Sequence, residues 1–329
     1  MKVETEQVKN MVFSVLLVGA GQLGSRYLQG FVRSKSALNI TVVDPLRDAL
    51  EVSRARWIEA GGDESSHQIR WVKALPAHIE SIDIAFIVTS SKGRTELIER
   101  IAGRVRVHFW VLEKLLAQSS SDLERIGSAV ASPAESWVNT PRRMMRWHAN
   151  LKKVFSGRGP LTVTYSAGRW GLACNSIHFI DLVAWWSGES LVSVDVSGLA
   201  NEWIESKRLG YFEVTGELVA RFSSGTVLRL KSYGGVVAQP IRVQLADDTI
   251  WEVDEPAGIA TSPGERAIYG KVEYQSQLSG RLIEDILVRG QCVLPTLEES
   301  SEMHTIFLDA VLGHWNYSQN RNDRFVPIT

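Results

Sequence analysis

The chain has 329 residues, of which 44% are hydrophobic and 22% charged, with a net charge of −1. That balance fits a globular protein able to bury a core, the length suggests two domains, and the lack of a basic block argues against nucleic acid or an anionic membrane surface as a partner. Cys174 and Cys292 lie far apart and outside any CxxC pair, so a disulfide scaffold is not indicated and a reducing cytoplasm fits.

The opening segment, MKVETEQVKN, is polar and lacks the apolar stretch of a signal peptide. Up to about residue 140, short apolar runs rich in Val and Ile alternate with amphipathic stretches. The runs at Val12–Val18, Ile40–Val43, Ile69–Val72, Ile84–Val88, Val107–Leu112 and Trp137–Val138 read as strands covered on both faces. The first, extended to Ala20, is about half as long as a membrane-spanning helix. Helices are expected over Leu23–Val32, Arg47–Ala60, Thr95–Ala102 and Asp122–Ala131. This alternation predicts a doubly wound parallel sheet.

The pattern changes at Thr140-Pro141. A helix is expected over Arg142–Phe155, then a strand in LTVTYSAGRW and a helix over Ala173–Trp186. Between Val192 and Val253 apolar and polar residues alternate, as in YFEVTGELVARF, which predicts a largely antiparallel sheet with one covered face. Helices over Val272–Arg289 and Leu297–Gln319 close the chain. The resulting division is residues 1–141 for the first domain and 142–329 for the second.

The first apolar run ends in Gly19-Ala20-Gly21-Gln22-Leu23-Gly24, which fits G-x-G-x-x-G between a predicted strand and a predicted helix. In this arrangement the first glycine permits the tight turn, the second lets a phosphate approach the backbone, and the third lets helix and strand pack closely. Free N–H groups at the helix start, from Gln22 and Leu23 onward, would face a pyrophosphate. The next strand ends in Asp44, about 20 residues past the last glycine, where an acid takes the ribose hydroxyls. A carboxylate there repels a 2′-phosphate and favours NAD over NADP; Arg47 partly offsets that repulsion. The competing reading is a ligand-free glycine turn with Asp44 as a helix cap.

With these residues in view, the sequence resembles the Gfo/Idh/MocA family of NAD(P)-dependent oxidoreductases. The likeness runs through GAGQLGSRYLQG, FIVTSS, VLEKLL, NTPRRM, GLACNSIHFIDLVAWWSG and LPTLEESSEMHTIFLDAV. The resemblance implies a Rossmann domain followed by an α/β domain with a large, open, mostly antiparallel sheet whose outer face makes homodimers or homotetramers. It also implies redox chemistry on a secondary alcohol or ketone of a sugar, polyol or sugar nucleotide. The closing DRFVPIT looks like relatives in surface-polysaccharide pathways.

LEKLL resembles the family's Glu-Lys-Pro signature, with Leu115 in place of proline. On that likeness Glu113 and Lys114 border the cofactor, and Lys114 contacts the reacting hydroxyl, where a partly desolvated amine assists proton removal or stabilises an alkoxide. His178 corresponds to the family histidine that exchanges the hydroxyl proton, a task that suits a neutral imidazole. Cys174, His178, Asp181 and Trp185 share one helical face. Asp181 either orients His178 or anchors the helix. Cys174 stands where many members carry an acid, so Asn175 is expected to supply the polar contact. Thr89, Ser90 and Ser91 fall where the family lines the cofactor path. Arg94 either approaches a phosphate or faces solvent.

Arg142, Arg143, Arg169 and Trp170 fall in regions that border the family's cleft. Several guanidiniums there suggest an anionic substrate group, and a solvated charged face is the alternative. No third ligand accompanies Cys174 and His178, so no metal site is expected. The rival readings are a dinucleotide-binding sensor or partner subunit without turnover, and a lyase or glycosidase that uses NAD transiently.

Overall fold

The computed structural model describes residues 11–63, 65–131, 134–235 and 237–329; the polar opening segment lies outside them. Two compact units form. The first comprises the chain up to Glu113 together with Arg125–Pro141 and Glu273–Leu297; the second comprises Lys114–Glu124, Arg142–Val272 and Glu298–Thr329.

In the first unit, β1 (Val12–Val18), β2 (Ala37–Val43), β3 (His67–Val72), β4 (Ser81–Ile87), β5 (Arg106–Glu113) and β6 (Glu135–Asn139) form one sheet in the order β3-β2-β1-β4-β5-β6. Every pairing in it is parallel. Val15, Leu16 and Leu17 are wholly buried, as strands covered on both faces require. Helices α1 (Gln22–Phe31), α2 (Arg47–Glu59) and α3 (Arg94–Ala102) follow strands β1, β2 and β4, and α4 (Ser120–Ala129) follows β5. Tyr27 and Phe31 of α1 pack with Phe86 of β4, the ring centroids 4.9 to 6.2 Å apart. The strand order reverses between β1 and β4, which is where ligands bind in open sheets of this kind.

The second unit has an eight-stranded sheet. It contains β7 (Thr162–Ala167), β8 (Leu191–Glu205), β9 (Phe212–Phe222), β10 (Val227–Ser232), β11 (Ile241–Gln244), β12 (Ile250–Asp254), β13 (Ile259–Thr261) and β14 (Ile268–Tyr269). Their order is β14-β13-β12-β11-β7-β10-β9-β8. Only β7 with β10 is parallel; the other pairings are antiparallel. α5 (Arg146–Phe155) and α6 (Leu172–Ser187) belong to this unit, as does nearly all of α8 (Leu297–Gln319).

Two elements differ from the sequence reading. The helix expected from Arg142 to Phe155 is a short 3-10 turn, Pro141–Met144, then α5, because Met145 adopts extended backbone between them. The expected single boundary after residue 141 also does not describe the division. α7 (Gln275–Arg289) packs on α1 in the first unit. The helices meet at Gly30 and Gly280: a Cβ on Gly30 would lie 2.6 Å from Ser279 Cβ, and one on Gly280 would lie 2.7 Å from the Gly30 carbonyl oxygen. Glu284 of α7 fixes the contact by accepting hydrogen bonds from Ser34 Oγ and from the Lys35 and Ser36 amides. Among the described residues, no helix is long and apolar enough to cross a membrane.

The 3-10 turn is tied to α6 by Arg143, whose guanidinium contacts both Asp181 oxygens at 2.7 and 3.1 Å. Both side chains are almost fully buried, at 5% and 1% exposure. Removing one partner leaves a buried charge without its counter-charge, so Arg143→Ala is expected to cost about 3–5 kcal/mol. A fall in the urea midpoint should record it, whereas Arg47→Ala, which removes an exposed pair with Glu51, should leave that midpoint in place.

Candidate active site

The first unit carries the glycine turn. Gly19 has φ +100°, and a Cβ there would meet the Val88 carbonyl carbon at 2.9 Å. A Cβ on Gly24 would fall 1.9 Å from the Gly19 carbonyl oxygen, so helix and strand approach as only glycine allows. A Cβ on Gly21 meets nothing within 4 Å, which leaves open space before the backbone there. α1 begins with no side-chain cap and no acid in its first turn, so no residue of the helix itself neutralises its positive end. Thr89, at the end of β4 and beside Gly19, buries a hydroxyl that has no hydrogen-bond partner. Glycines that a Cβ would block, an uncapped helix start and an orphaned hydroxyl are features that a bound dinucleotide diphosphate fits.

Asp44 is buried against this turn. Its Oδ2 accepts the Ala20 amide at 2.8 Å and its Oδ1 accepts the Leu46 amide at 2.9 Å. The carboxylate thus shapes the glycine loop, and each oxygen retains a lone pair. Arg47 is exposed and paired with Glu51. Arg94 neither faces solvent nor points to open space: it is buried and donates to the carbonyls of Thr89 and Glu113, tying the ends of β4 and β5 together. Glu113 turns inward, accepting Tyr27 Oη at 2.6 Å and Asn139 Nδ2 at 2.7 Å. Ser91 is buried and Ser90 half-buried in the same loop.

The second unit holds a cavity of about 510 Å³. Lys114 lines it, together with Trp170, Cys174, Asn175 and Glu213. Lys114 Nζ donates to the Cys174 carbonyl at 3.0 Å and to Asn175 Oδ1 at 3.3 Å. Asn175 Nδ2 in turn donates to the Trp170 carbonyl at 2.9 Å. Trp170 is itself fixed, its indole N–H donating to the Lys231 carbonyl and its ring meeting Tyr165 and Phe179 edge-on. The Lys114–Leu115 peptide bond is cis, and His304 Nε2 accepts the Leu116 amide just beyond it.

Glu213, from β9, was not marked by the sequence. Its oxygens accept the Ala173 and Cys174 amides at the start of α6, at 2.9 and 3.2 Å. Burial raises its carboxyl, opposed by hydrogen bonds from Cys174 and Ala173 and by the Lys114 charge. Alternation in the strand shows that Glu213 has polar neighbours; only the tertiary fold brings it to a helix start 40 residues away. Lys207 and Arg208, which also line the cavity, were likewise unmarked.

His178 lies one helical turn after Cys174, half-buried, with a buried Nδ1 that has no partner. Burial holds its pKa well below the ordinary imidazole value, and the Lys114 and Arg142 charges lower it further. It is not among the residues lining the cavity. Of the arginines expected near substrate, Arg169 lines the cavity, while two are committed elsewhere. Arg142 is bidentate on Glu255 at 2.8 and 2.9 Å, and Arg143 holds Asp181 and Glu299. Asp181 therefore anchors α6 to the 3-10 turn. Among the described residues, no three His, Cys, Asp or Glu side chains gather to hold a metal ion.

No protein-family model and no curated protein matches the sequence. Solved structures match over nearly its whole length. The scyllo-inositol dehydrogenase from Lactobacillus casei, with bound NAD(H) and scyllo-inositol, has a TM-score of 0.65 and 15% identity over 94% of this chain and 98% of that one. The aldose-aldose oxidoreductase from Caulobacter crescentus, complexed with glycerol, has a TM-score of 0.66 and 16% identity over 94% and 98%. The UDP-N-acetylglucosamine 3-dehydrogenase from Acidithiobacillus ferrooxidans has a TM-score of 0.65 and 14% identity over 94% and 100%. At these identities the likeness is one of fold: a Rossmann-like parallel sheet followed by a mostly antiparallel one.

The thiols give a direct test of the cavity's electrostatics. Burial pushes Cys174 up to about 12, helped by the Glu213 charge, and burial pushes Cys292 to about 12 as well. Alkylation of both by iodoacetamide at pH 8 should be about a thousandfold slower in the native protein than for an ordinary thiol, and should recover in denaturant. Rapid native labelling of Cys174 would contradict this account of its surroundings.

Proposed function

We propose that the chain is an NAD-dependent oxidoreductase of the Gfo/Idh/MocA family, moving a hydride between nicotinamide and a secondary alcohol or ketone carbon of a sugar, sugar derivative or sugar nucleotide. The observation that carries the reading is the glycine turn at β1–α1: three glycines, an uncapped helix start and an acid at the end of β2, at the point where the sheet order reverses. The names of the structural neighbours, which are sugar, polyol and sugar-nucleotide oxidoreductases, support the substrate class. A cytoplasmic homodimer or homotetramer acting in surface-polysaccharide metabolism is the setting in which we place this activity.

NAD, when bound, supplies the hydride-accepting carbon of its nicotinamide. The chain's own residues do the remainder. Main-chain amides of Gly21, Gln22, Leu23 and Gly24 hold the diphosphate, and Asp44 accepts ribose hydroxyls and repels a 2′-phosphate. Arg47, Thr89, Ser90, Ser91 and Glu113 shape the rest of the nucleotide site, and Thr89 Oγ1 gains the partner it lacks. Lys114 Nζ, already oriented by Cys174 and Asn175, donates to the substrate oxygen and stabilises its negative charge as hydride leaves. His178, neutral because its pKa is depressed, accepts the hydroxyl proton and returns it in the reverse direction. Holding alcohol and acceptor at reacting distance supplies much of the rate.

A dinucleotide-binding sensor without turnover is the second reading. It is favoured by Cys174, a thiol that is not ionised at neutral pH at the position where the resemblance calls for an acid.

Appearance of reduced nicotinamide, followed across a panel of polyols, sugars and sugar nucleotides, separates the readings. Lys114→Ala is expected to lower kcat/KM by about 10²–10⁴-fold. NAD binding with no turnover across the panel would favour the sensor, and net cofactor reduction argues against a transient-NAD lyase. Because the His178 pKa is lowered, its protonation removes activity only well below pH ~6.5. kcat/KM should therefore stay level from pH 8 through 6.5; a fall centred at 6.5 would remove His178 from the proton-accepting role.

A further inference from the structure

Charge is distributed unevenly over the cavity of the second unit. Lys114, Arg169, Lys207 and Arg208 line it, against Glu205 and Glu213. Four cationic side chains less two acidic ones leave an excess of two positive charges, of which an α-carboxylate at Thr329, which also lines the cavity, would offset one. Glu213 is engaged by the start of α6, and Glu205 accepts the Gly210 amide. Lys114 is held by Cys174 and Asn175. Arg169, Lys207 and Arg208, by contrast, take part in none of the ion pairs found among the described residues, whereas Arg142, Arg143, Arg158 and Arg229 of the same unit each have a carboxylate.

Lys207 and Arg208 are presented by a built turn. The β8–β9 connection closes through Ser206 N–H on the Tyr211 carbonyl at 2.7 Å and Tyr211 N–H on the Arg208 carbonyl at 3.1 Å. Ser206 Oγ accepts the Arg208 amide and donates to the Arg208 carbonyl. Arg169 precedes Trp170, whose indole and carbonyl are both hydrogen-bonded. Asn175 links that Trp170 carbonyl directly to Lys114. Lys114, assigned to the reacting oxygen, and Trp170, which follows Arg169 in the chain, therefore belong to one hydrogen-bonded wall.

Resting on the reading that Lys114, which lines this cavity, contacts the reacting oxygen, we propose that the substrate is a phosphorylated sugar, with the phosphate held by Arg169, Lys207 and Arg208. A carboxylate needs one guanidinium fork. Three cations without an ion-pair partner among the described residues match phosphate, either as one dianionic monoester group or as the two singly charged groups of a diphosphate. A cavity of about 510 Å³ is of the size that encloses a whole small ligand. Two sources share this chemistry, a sugar phosphate and a nucleoside diphosphate sugar.

The test is calorimetric titration of the full chain, saturated with NAD, by UDP, glucose 1-phosphate, inorganic phosphate and glucose. UDP and glucose 1-phosphate should bind more tightly than glucose, and rising salt should weaken both. R169A and R208A should each weaken the phosphorylated ligands about tenfold or more. UDP binding far tighter than glucose 1-phosphate assigns the nucleoside diphosphate sugar; equal affinity assigns the sugar phosphate. Unchanged affinity in the variants, or glucose binding as tightly as glucose 1-phosphate, overturns the proposal. Should either arginine variant fail to fold, K207E on the exposed turn serves in its place: it should weaken UDP, and unaltered UDP affinity overturns the assignment. A separate NAD titration of the chain prepared without cofactor, with the phosphate ligands titrated into that preparation as well, keeps the two readings apart. Loss of NAD binding with the phosphate effects intact defeats the oxidoreductase reading alone; NAD-dependent turnover of neutral sugars without those effects defeats this one alone.

Discussion

A single carboxylate sets the geometry of the second unit's cavity. Glu213 reaches from β9 to the first amides of α6 and satisfies two N–H groups that a helix start leaves open. With the helix start fixed, the Cys174 carbonyl and the Asn175 amide face Lys114, and Asn175 passes the constraint on to Trp170. Negative charge at the helix start also offsets the lysine in a partly buried place, so neither stands uncompensated. The cost falls on Cys174, whose thiol becomes hard to ionise beside a carboxylate. Lysine, thiol, amide and carboxylate act as one electrostatic unit, and a change at any of them is felt by the others.

The first unit meets a different constraint, the closeness of main chain to main chain. At Gly19 and Gly24 there is no room for a methyl group, because strand, turn and helix share the same few ångströms. At Gly21 the reverse holds, and open space lies in front of the backbone. Asp44 and Arg94 then stiffen the surroundings through backbone groups, the first on Ala20 and Leu46, the second on the Thr89 and Glu113 carbonyls. The loops after β1, β4 and β5 thus meet polar side chains that serve the main chain first. That is how a shallow loop region becomes a firm platform.

The features visible in the sequence are the local ones. The six parallel strands, the glycine turn and α6 follow from runs, spacings and residue types within about 20 positions. Asp44, at the end of β2, stands out in the sequence by its distance from the last glycine, a spacing that a β-α-β unit fixes. The partners of the arginines in the 3-10 turn are hidden for the opposite reason. Arg142 finds Glu255 and Arg143 finds Glu299, more than 100 residues away, and no local pattern announces such partners. Glu213, Lys207 and Arg208 escaped notice for the same cause, since strand alternation tells which residues are polar and not what they will meet. The 3-10 break at Met145 also passed unseen, because Arg142–Phe155 has helical composition throughout.

The return of α7 to the Rossmann unit bears on how this molecule can be dissected. Residues Glu273–Leu297 cover α1 and extend the β6 edge, where the Val138 amide donates to the Pro295 carbonyl. A fragment of the first unit cut at residue 141 would present the groove around Gly30 to water with nothing to fill it. The two halves are interleaved along the gene, so neither could be exchanged, transplanted or expressed as one uninterrupted block. Any chimera that keeps the glycine turn in its native packing must also bring a helix encoded more than 130 codons later.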